Sequence, residues 1–299
     1  TELLLSRFDA DKIRFTTSGT LASMYAVMLA KAYTRKEKVL KAGGGWHGAN
    51  PYVLRGISTY QNGLNEIESA GLPDSADSMI LVSRFNDEKD LEKKFQDHGE
   101  EVACFIVEPF IGAGGFIFSS RNYLQRARDL TQKYGAVLIF DEVVSGFRFH
   151  AGPVQNLYKI KPDLTVFGKT IGGGMPVSAV AGDNDLLSLC SPAAKKEDRV
   201  KFEGGTFSGH PSAMLAGAVY IQYLIKHESE IYPQIGQFGA EVRKNIENIF
   251  SSYGFNVKCT GKGDDIAPSS SLIGVQFMRK KLDKVISPEQ VWNPEVSDV

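Results

Sequence analysis

Two acidic residues and a lysine each follow an apolar run of strand length. They are Glu108 after residues 102–107, Asp141 after residues 136–140, and Lys169 after residues 164–167. Such runs are typical of strands that are buried on both faces of a sheet. Because ligands bind beyond the carboxyl ends of the strands in an open α/β sheet, the three side chains are expected at one edge of the sheet.

Lys169 has the sharpest chemical signature of the three. It lies between an apolar run and three successive glycines, residues 172–174, and the next charged residue along the chain is Asp183. Burial lowers the pKa of an amine, and a lysine in such a place can be a nucleophile that forms a Schiff base. A lysine whose amine reaches solvent from a strand end is the alternative. The glycines favour the nucleophile, because they let a ligand approach the backbone closely.

Asp141 comes at the end of five apolar residues, where a carboxylate needs a cationic or hydrogen-bonding partner. We interpret it as the partner of a protonated ring nitrogen, and Val143 as a small apolar surface against a flat ring. A surface acid and a core valine are the alternatives.

Two polar segments precede helices and can bind an anion. Residues 18–20, Ser-Gly-Thr, open an Ala- and Leu-rich helix, whose free N–H groups and dipole suit a phosphate. Thr206 or Ser208 can do the same before a second helix, although a plain helix cap explains both segments equally well. Trp46 offers an aromatic face or ordinary core packing, and we interpret His47 as structural rather than catalytic.

A lysine, an acid, an aromatic face and a phosphate site are together the parts that pyridoxal 5'-phosphate (PLP) needs. The lysine bonds the cofactor, and the acid keeps the pyridinium protonated so that the ring accepts electrons. PLP is therefore the predicted cofactor. The three cysteines, Cys104, Cys190 and Cys259, form no CxxC pair, so neither a disulfide framework nor a zinc site is predicted, and no metal is assigned.

Strand and helix patterns alternate along the chain, which predicts an α/β architecture. Predicted helices cover residues 18–35, 87–97, 120–134, 210–227 and 231–251, the last two starting near Pro211 and Pro233. Predicted strands cover 39–42, 79–82, 102–107, 136–140, 164–167 and 177–181, and 59–78 is a predicted loop. Two further strands, 255–259 and 272–277, indicate a smaller unit. We therefore expect a large domain over residues 1–250 and the start of a small C-terminal α/β domain over residues 251–299.

The composition argues against several classes of binding partner. Of 299 residues, 34 are Lys or Arg and 35 are Asp or Glu, so the net charge is −1 and no basic run suggests a nucleic-acid partner. No apolar run is long enough for a membrane helix, and no basic segment opens a signal peptide. A cytoplasmic protein with small-molecule substrates is expected. A chain that begins on Thr1 and stops at Val299 in a polar stretch is expected to be a fragment.

The segments that carry the predicted chemistry also resemble a known family. They read SGT (18–20), WHG (46–48), GLPDS (71–75), FIVEP (105–109), LIFDEVVSGFR (138–148), PDLTVFGKTIGGGMP (162–176) and GGTFSGHPSAM (204–214). In order and spacing they resemble the class III PLP-dependent aminotransferases, and within them the glutamate-1-semialdehyde 2,1-aminomutase branch. The resemblance covers residues from about 14 to 250. It implies the fold type I PLP-dependent transferase fold, a mixed and mostly parallel sheet between helices with a small second domain.

The resemblance also implies a role for most of the candidate residues. Lys169 is the Schiff-base lysine and proton carrier, and Asp141 pairs with the ring nitrogen. Val143 and Trp46 lie against opposite faces of the ring, and residues 18–20 bind the phosphate.

Three more residues belong to the expected cofactor-binding set. Thr206 matches a residue that reaches the phosphate in the neighbouring subunit, which implies a homodimer. Glu108 matches a strand-end acid near the cofactor, and His47 belongs to the WHG motif.

Departures from the family pattern leave the reaction open. Leu21 stands where the family commonly has Glu, and the turn at residues 111–115 departs from the aminomutase pattern. The GGGMP and GLPDS segments favour an aminomutase.

The leading hypothesis is an aminotransferase that moves an amino group from an amino-acid or amine donor to a carbonyl acceptor. The alternative is the aminomutase, which serves tetrapyrrole precursor synthesis. A racemase or epimerase, a Schiff-base aldolase, and a catalytically silent binding or scaffold protein are further alternatives.

Overall fold

A computed structural model describes residues 1–58, 63–280, 282–293 and 295–297. The strands are β1 (Lys12–Thr16), β2 (Lys38–Ala42), β3 (Ile80–Ser83), β4 (Val102–Val107), β5 (Phe110–Ile111), β6 (Ile117–Phe118), β7 (Val137–Glu142), β8 (Leu164–Phe167), β9 (Ser178–Gly182), β10 (Val257–Thr260) and β11 (Gly274–Phe277). The helices are α1 (Glu2–Leu5), α2 (Gly19–Thr34), α3 (Ala76–Met79), α4 (Glu88–His98), α5 (Arg121–Lys133), α6 (Gln155–Tyr158), α7 (Asn184–Ser188), α8 (Pro211–Lys226), α9 (Glu228–Ser252) and α10 (Pro288–Trp292). No helix in the described ranges is long and apolar enough to cross a membrane.

Seven strands form one sheet in the order β1-β9-β8-β7-β4-β2-β3. The neighbours from β8 to β3 are all parallel, whereas β9 runs antiparallel to both β8 and β1. The carboxyl ends of β4, β7 and β8 therefore meet at one edge of the sheet. The prediction of a mixed, mostly parallel sheet in an α/β fold is confirmed.

The central strands are buried on both faces, as their continuous apolar runs predict. Successive side chains of a strand point to opposite faces. In β4, accordingly, Phe105 and Val107 belong to one buried cluster and Cys104 and Ile106 to the other. Helices cover both clusters, so the sheet is the middle layer of the fold.

Side-chain caps fix where the site-bearing helix and its neighbours start. Ser18 caps α2 by accepting a hydrogen bond from the N–H of Leu21 at 3.3 Å. Asp87 accepts two backbone N–H groups at the start of α4, and Ser120 accepts one at the start of α5. Each cap satisfies a backbone donor that the helix itself leaves unpaired.

Several details differ from the sequence-based expectations. The helix α9 begins at Glu228, not near Pro233, because the carbonyl of His227 already accepts the N–H of Ile231 and completes a turn before the proline. The strand β7 continues through Glu142, so Asp141 is the second-to-last residue of the strand rather than the residue after it. The edge strand β1 was not predicted, since its alternation of charged and apolar residues is short.

The predicted loop at 59–78 contains the short helix α3 and a 3-10 turn at Gly63–Asn65, and residues 59–62 lie outside the described residues. Beyond residue 250, β10 and β11 pair antiparallel in a separate two-stranded sheet. Met278, Val285 and Val291 bury their side chains in the same apolar cluster as Phe105 of the large sheet. A domain boundary at residue 250 stays a prediction, and residues 281, 294, 298 and 299 of the second unit lie outside the described residues.

Candidate active site

A cavity of about 300 Å³ lies at the carboxyl edge of the sheet. The candidate residues that line it are Ser18, Gly19, Thr20, Trp46, His47, Asp141, Val143 and Lys169. They come from the start of α2, the loop after β2, the end of β7 and the turn after β8. The fold therefore brings eight of the ten candidate residues around one space, and Glu108 and Thr206 are the two that do not line it.

Asp141 is held by two hydrogen-bond donors at the floor of the cavity. Its Oδ2 lies 2.8 Å from Nδ1 of His47, and its Oδ1 accepts the N–H of Val143 at 3.0 Å. The side chain is 3% exposed. Burial lowers the pKa of His47 despite the neighbouring carboxylate, so the imidazole is neutral near pH 7. A neutral ring can satisfy Asp141 only as the tautomer with its proton on Nδ1. Both donors then stabilise a negative charge on Asp141.

His47 is itself fixed from behind. Its backbone carbonyl accepts hydrogen bonds from Oγ of Ser23 and from Nδ2 of Asn50, and its Nε2 is buried without a hydrogen-bond partner among the described residues. A Cβ on Gly45 would lie 2.8 Å from that Nε2. The ring is therefore confined to one position, in which it orients Asp141.

Val143 sits between two glycines. A Cβ on Gly19 would lie 3.0 Å from one methyl of Val143, and a Cβ on Gly168 would lie 3.1 Å from the other. The absence of side chains at both positions lets the start of α2 and the turn after β8 close on the valine. Val143 is thus held in a fixed position, from which it presents its apolar surface to the cavity.

Lys169 begins a 3-10 turn, Lys169–Gly172, directly after Gly168. Its φ of 45° is in the left-handed region, which is uncommon for a residue with a side chain. Held there, Lys169 lines this cavity and also a second, adjoining one. A backbone strained at this point marks the lysine as a functional candidate.

The start of α2 lies on the cavity wall and has backbone groups that can hold an anion. The N–H groups of a first helical turn have no partner within the helix, and the dipole adds partial positive charge. Gly48 packs against Thr20 so closely that a Cβ there would lie 2.5 Å from Oγ1 of Thr20. This contact ties the loop that carries Trp46 and His47 to the helix start.

Glu108 supports the site from behind the cavity. Its Oε1 accepts the N–H of Trp46 at 2.9 Å, and its Oε2 accepts the N–H of Gly112 at 3.0 Å. Burial and the negative charge of Asp141 raise the pKa of Glu108 to about 8. The side chain therefore joins the loop after β2 to the turn after β4, which gives the strand-end acid a concrete structural role.

Thr206 lies outside both cavities, in an exposed turn. Ser208, the other anion-binding candidate of this segment, donates its hydroxyl to the carbonyl of Gly204. Neither residue reaches the site of its own chain.

Sequence reasoning missed Lys41, which the structure places beneath the same loop. Lys41 is 0% exposed, and its Nζ donates to the carbonyls of Gly45, Val53 and Arg55 at 2.8, 3.2 and 2.9 Å. Burial lowers its pKa to about 7. Lys41 lies in an apolar strand just before three glycines, and Lys169 follows an apolar strand and also precedes three glycines, so the sequence signal was present. The structure distinguishes the two lysines, because the amine of Lys41 donates to three carbonyls whereas Lys169 lines the cavity.

We expect Lys41→Met to lower the free energy of unfolding by about 2–3 kcal/mol, because three loop carbonyls lose their common donor. Urea denaturation measures the change. The control is Lys12→Met, which removes an exposed lysine that donates to Ser188 and should stay within about 0.5 kcal/mol of wild type. Equal changes in the two variants would show that the carbonyl contacts of Lys41 do not stabilise the loop.

Cofactor fit can be judged from these residues alone. The cavity is lined by a carboxylate that two donors hold, a lysine, an apolar valine, a partly exposed tryptophan and a helix start. Those are the groups that hold the ring nitrogen, the aldehyde, the ring faces and the phosphate of PLP. The residues present fit that cofactor.

Comparison with known proteins identifies the family of this chain. Residues 1–269 match the family described as aminotransferase class-III. Glutamate-1-semialdehyde 2,1-aminomutases are among its curated relatives. The protein from Sulfurisphaera tokodaii is 39% identical over 82% of this chain and 57% of its own length. The protein from Thermoplasma volcanium is 38% identical over 74% of this chain and 51% of its own length. The chain thus spans a little over half the length of these relatives.

Solved structures show the same fold. An omega-transaminase from Sphaerobacter thermophilus superposes with a TM-score of 0.79 at 32% identity, covering 87% of this chain and 60% of that one. A glutamate-1-semialdehyde aminomutase from Pseudomonas aeruginosa superposes with a TM-score of 0.78 at 19% identity, over 97% of this chain and 62% of that one, and shows the fold alone. With the family match over most of its residues, this chain belongs to the class III aminotransferases.

Proposed function

We propose that the whole protein is a PLP-dependent enzyme that moves an amino group from an amino compound to a carbonyl compound. The observation that carries this proposal is the single cavity that Lys169 and Asp141 both line, with the start of α2 on its wall. When bound there, PLP supplies an electron sink for the carbon from which a proton is removed.

Each residue then has a defined task. Nζ of Lys169 would hold the cofactor aldehyde, and the same amine, when free, would carry the proton at the reacting carbon. Asp141 would stabilise the protonated ring nitrogen, and Val143 and Trp46 would lie against the two ring faces. The N–H groups and hydroxyls of residues 18–20 bind the phosphate.

A second candidate is the glutamate-1-semialdehyde 2,1-aminomutase reaction, in which the amino group moves within one molecule. It is favoured by the curated relatives at 36% to 41% identity that bear this name. The omega-transaminase at 32% identity favours transfer between two molecules. Both reactions would use the same lysine and aspartate.

The deciding experiment supplies the full-length enzyme, loaded with PLP, with two kinds of substrate. One arm offers glutamate-1-semialdehyde and measures 5-aminolevulinate. The other offers α-, β- and ω-amino donors with pyruvate or 2-oxoglutarate and measures the new amino acid. Product in the first arm alone identifies an aminomutase, and product in the second identifies an aminotransferase. No product in either arm contradicts the proposal and favours a silent binding or scaffold protein.

We further propose a homodimer in which Thr206 reaches the phosphate in the neighbouring subunit. Thr206 is exposed and does not line the cavity of its own chain, and α8, which follows it, carries the exposed apolar residues Leu215, Val219 and Tyr223. Sedimentation of the full-length protein should give twice the monomer mass, and a monomer that binds PLP with full affinity would contradict the proposal.

The buried free cysteines suit a reducing compartment, and we propose the cytoplasm.

We expect His47→Phe to lower kcat/KM by about ten- to a hundredfold, because Asp141 loses a charge-assisted hydrogen bond and its orientation. His47→Asn is the matched variant, since its amide can donate from the position of Nδ1 and should recover much of the loss. Steady-state kinetics on both variants, with PLP content measured alongside, checks this. If the two variants behaved alike, the Nδ1–Asp141 contact would not be what positions the aspartate.

A further inference from the structure

The short helix α10 packs the C-terminal unit against the loops of the candidate active site, and glycines on those loops make room for it. A Cβ on Gly44, in the loop after β2, would lie 2.5 Å from the ring of Pro288. A Cβ on Gly115, in the turn between β5 and β6, would lie 2.6 Å from Val291. Trp292, at the end of the helix, lines the cavity that adjoins the first. The position of α10 therefore fixes part of the wall of that cavity.

Glu289, in the first turn of α10, carries a buried carboxylate group. Neither of its two oxygens has a hydrogen-bond partner among the residues that the structure describes. Burying a charge without a partner is costly, so buried carboxylates in proteins are paired or bind a cation. Glu289 therefore needs a positive partner or a set of donors at this point.

Two buried hydroxyls lie near this carboxylate, on Tyr123 of α5 and on Ser83 at the end of β3. Both residues are 0% exposed, and neither hydroxyl makes a hydrogen bond of ordinary geometry with a described residue. Burial raises the pKa of Tyr123, although the neighbouring Ser83 hydroxyl opposes the rise. The negative charges of Asp90, Glu289 and Asp87 add to it. The two hydroxyls are thus neighbours, and the Glu289 carboxylate is close enough to act on them.

The other acids around these hydroxyls already have partners. Asp87 accepts two backbone N–H groups at the start of α4, and Asp90 accepts the N–H of Arg84 at 2.8 Å. Glu289 also lines a surface cavity of about 830 Å³. Acidic residues outnumber basic ones on its wall, with Asp87, Glu88, Glu92 and Glu289 against Arg84 and Lys89. An excess of negative charge attracts cations to this surface.

The donor set indicates which kind of cation fits. Carboxylate and hydroxyl oxygens are hard ligands, which suit alkali and alkaline-earth ions better than soft metals. Sites for Ca²⁺ draw on several carboxylates and carbonyls. Within the described ranges, no group of three or more His, Cys, Asp or Glu residues could hold a metal ion. A single carboxylate carries one negative charge, which a monovalent cation neutralises.

We propose that Glu289, Tyr123 and Ser83 bind a monovalent cation, Na⁺ or K⁺, and that the bound ion holds α10 in place against the loops of the candidate active site. The ion would satisfy the three side chains that the protein leaves without partners. This inference goes beyond the proposed function, and no step of it depends on Lys169.

Thermal unfolding of the full-length protein, with PLP added, tests the proposal without any turnover. The protein is measured in the chlorides of potassium, sodium and tetramethylammonium at equal ionic strength, since the last cation is too large for a buried site. We expect the unfolding midpoint to be at least about 3 °C higher in potassium or sodium chloride, because an ion that binds only the folded state stabilises it. Equal midpoints in the three salts would overturn the proposal.

Two variants and a control locate the ion. Glu289→Gln should remove the difference between the salts, whereas Glu241→Gln, which changes an exposed acid on α9, should keep it. Tyr123→Phe keeps the carboxylate and should raise the cation concentration that gives half of the shift by about tenfold, so it decides the matter if Glu289→Gln does not fold. A difference between the salts that survives unchanged in these variants would place the ion elsewhere and overturn the proposal. A protein that transferred no amino group would leave this test valid, because the unfolding midpoint does not depend on turnover.

Discussion

Lys169→Ala is expected to abolish amino transfer, with kcat at least about 10³-fold below wild type. The variant loses both the amine that holds the cofactor and the base that moves the proton. Added PLP should no longer give the visible absorption band of the lysine-linked cofactor. The measurement is kcat for the accepted donor, together with the absorption spectrum of the PLP-loaded protein.

A matched control exists for the backbone of this variant. Lys159 also has a left-handed φ, 58° against 45° for Lys169, and it is exposed and remote from the cavity. Lys159→Ala should therefore report any cost of alanine in that conformation while leaving kcat within about twofold. If Lys169→Ala retained the absorption band and kcat, Lys169 would not be the residue that bonds the cofactor and moves the proton.

Asp141→Asn is expected to lower kcat by about 10²- to 10³-fold, because one negative charge facing the ring nitrogen is lost. The substitution keeps the shape of the side chain. Its oxygen can still accept the N–H of Val143, and neutral His47 can change tautomer to accept the new amide. The fold and the bond from Lys169 to the cofactor should therefore survive, and the loss should lie in turnover.

Two readouts separate this role from a structural one. The absorption band of the lysine-linked cofactor should remain in Asp141→Asn, whereas kcat falls. Asp185→Asn, an exposed change at the first turn of α7, should alter neither. A kcat within about threefold of wild type for Asp141→Asn would refute the assignment of Asp141 to the ring nitrogen.

The location of the site could be predicted from the residues at the strand ends, because the central strands are parallel. Continuous apolar runs before Glu108, Asp141 and Lys169 indicated strands buried on both faces, and parallel strands bring their carboxyl ends to one edge. The same reasoning did not detect β1, whose five residues mix charged and apolar types. It also misplaced the start of α9, because Pro233 is tolerated one turn inside the helix.

Contacts between distant parts of the chain were beyond sequence reasoning. His47 and Asp141 are 94 residues apart, and only the packing of the loop after β2 against β7 brings them within 2.8 Å. The two lysines that precede triple glycines, Lys41 and Lys169, have similar local sequences. Their difference arises from what surrounds each amine, three carbonyls for one and a cavity for the other.

The central claim is that one particular amine bonds the cofactor, and borohydride reduction tests it most directly. The full-length protein is loaded with PLP, reduced, digested and mapped by mass spectrometry. The account predicts a single stable pyridoxyl adduct, on Lys169. An adduct on another residue, for example on Lys41, the other lysine that precedes three glycines, would contradict it.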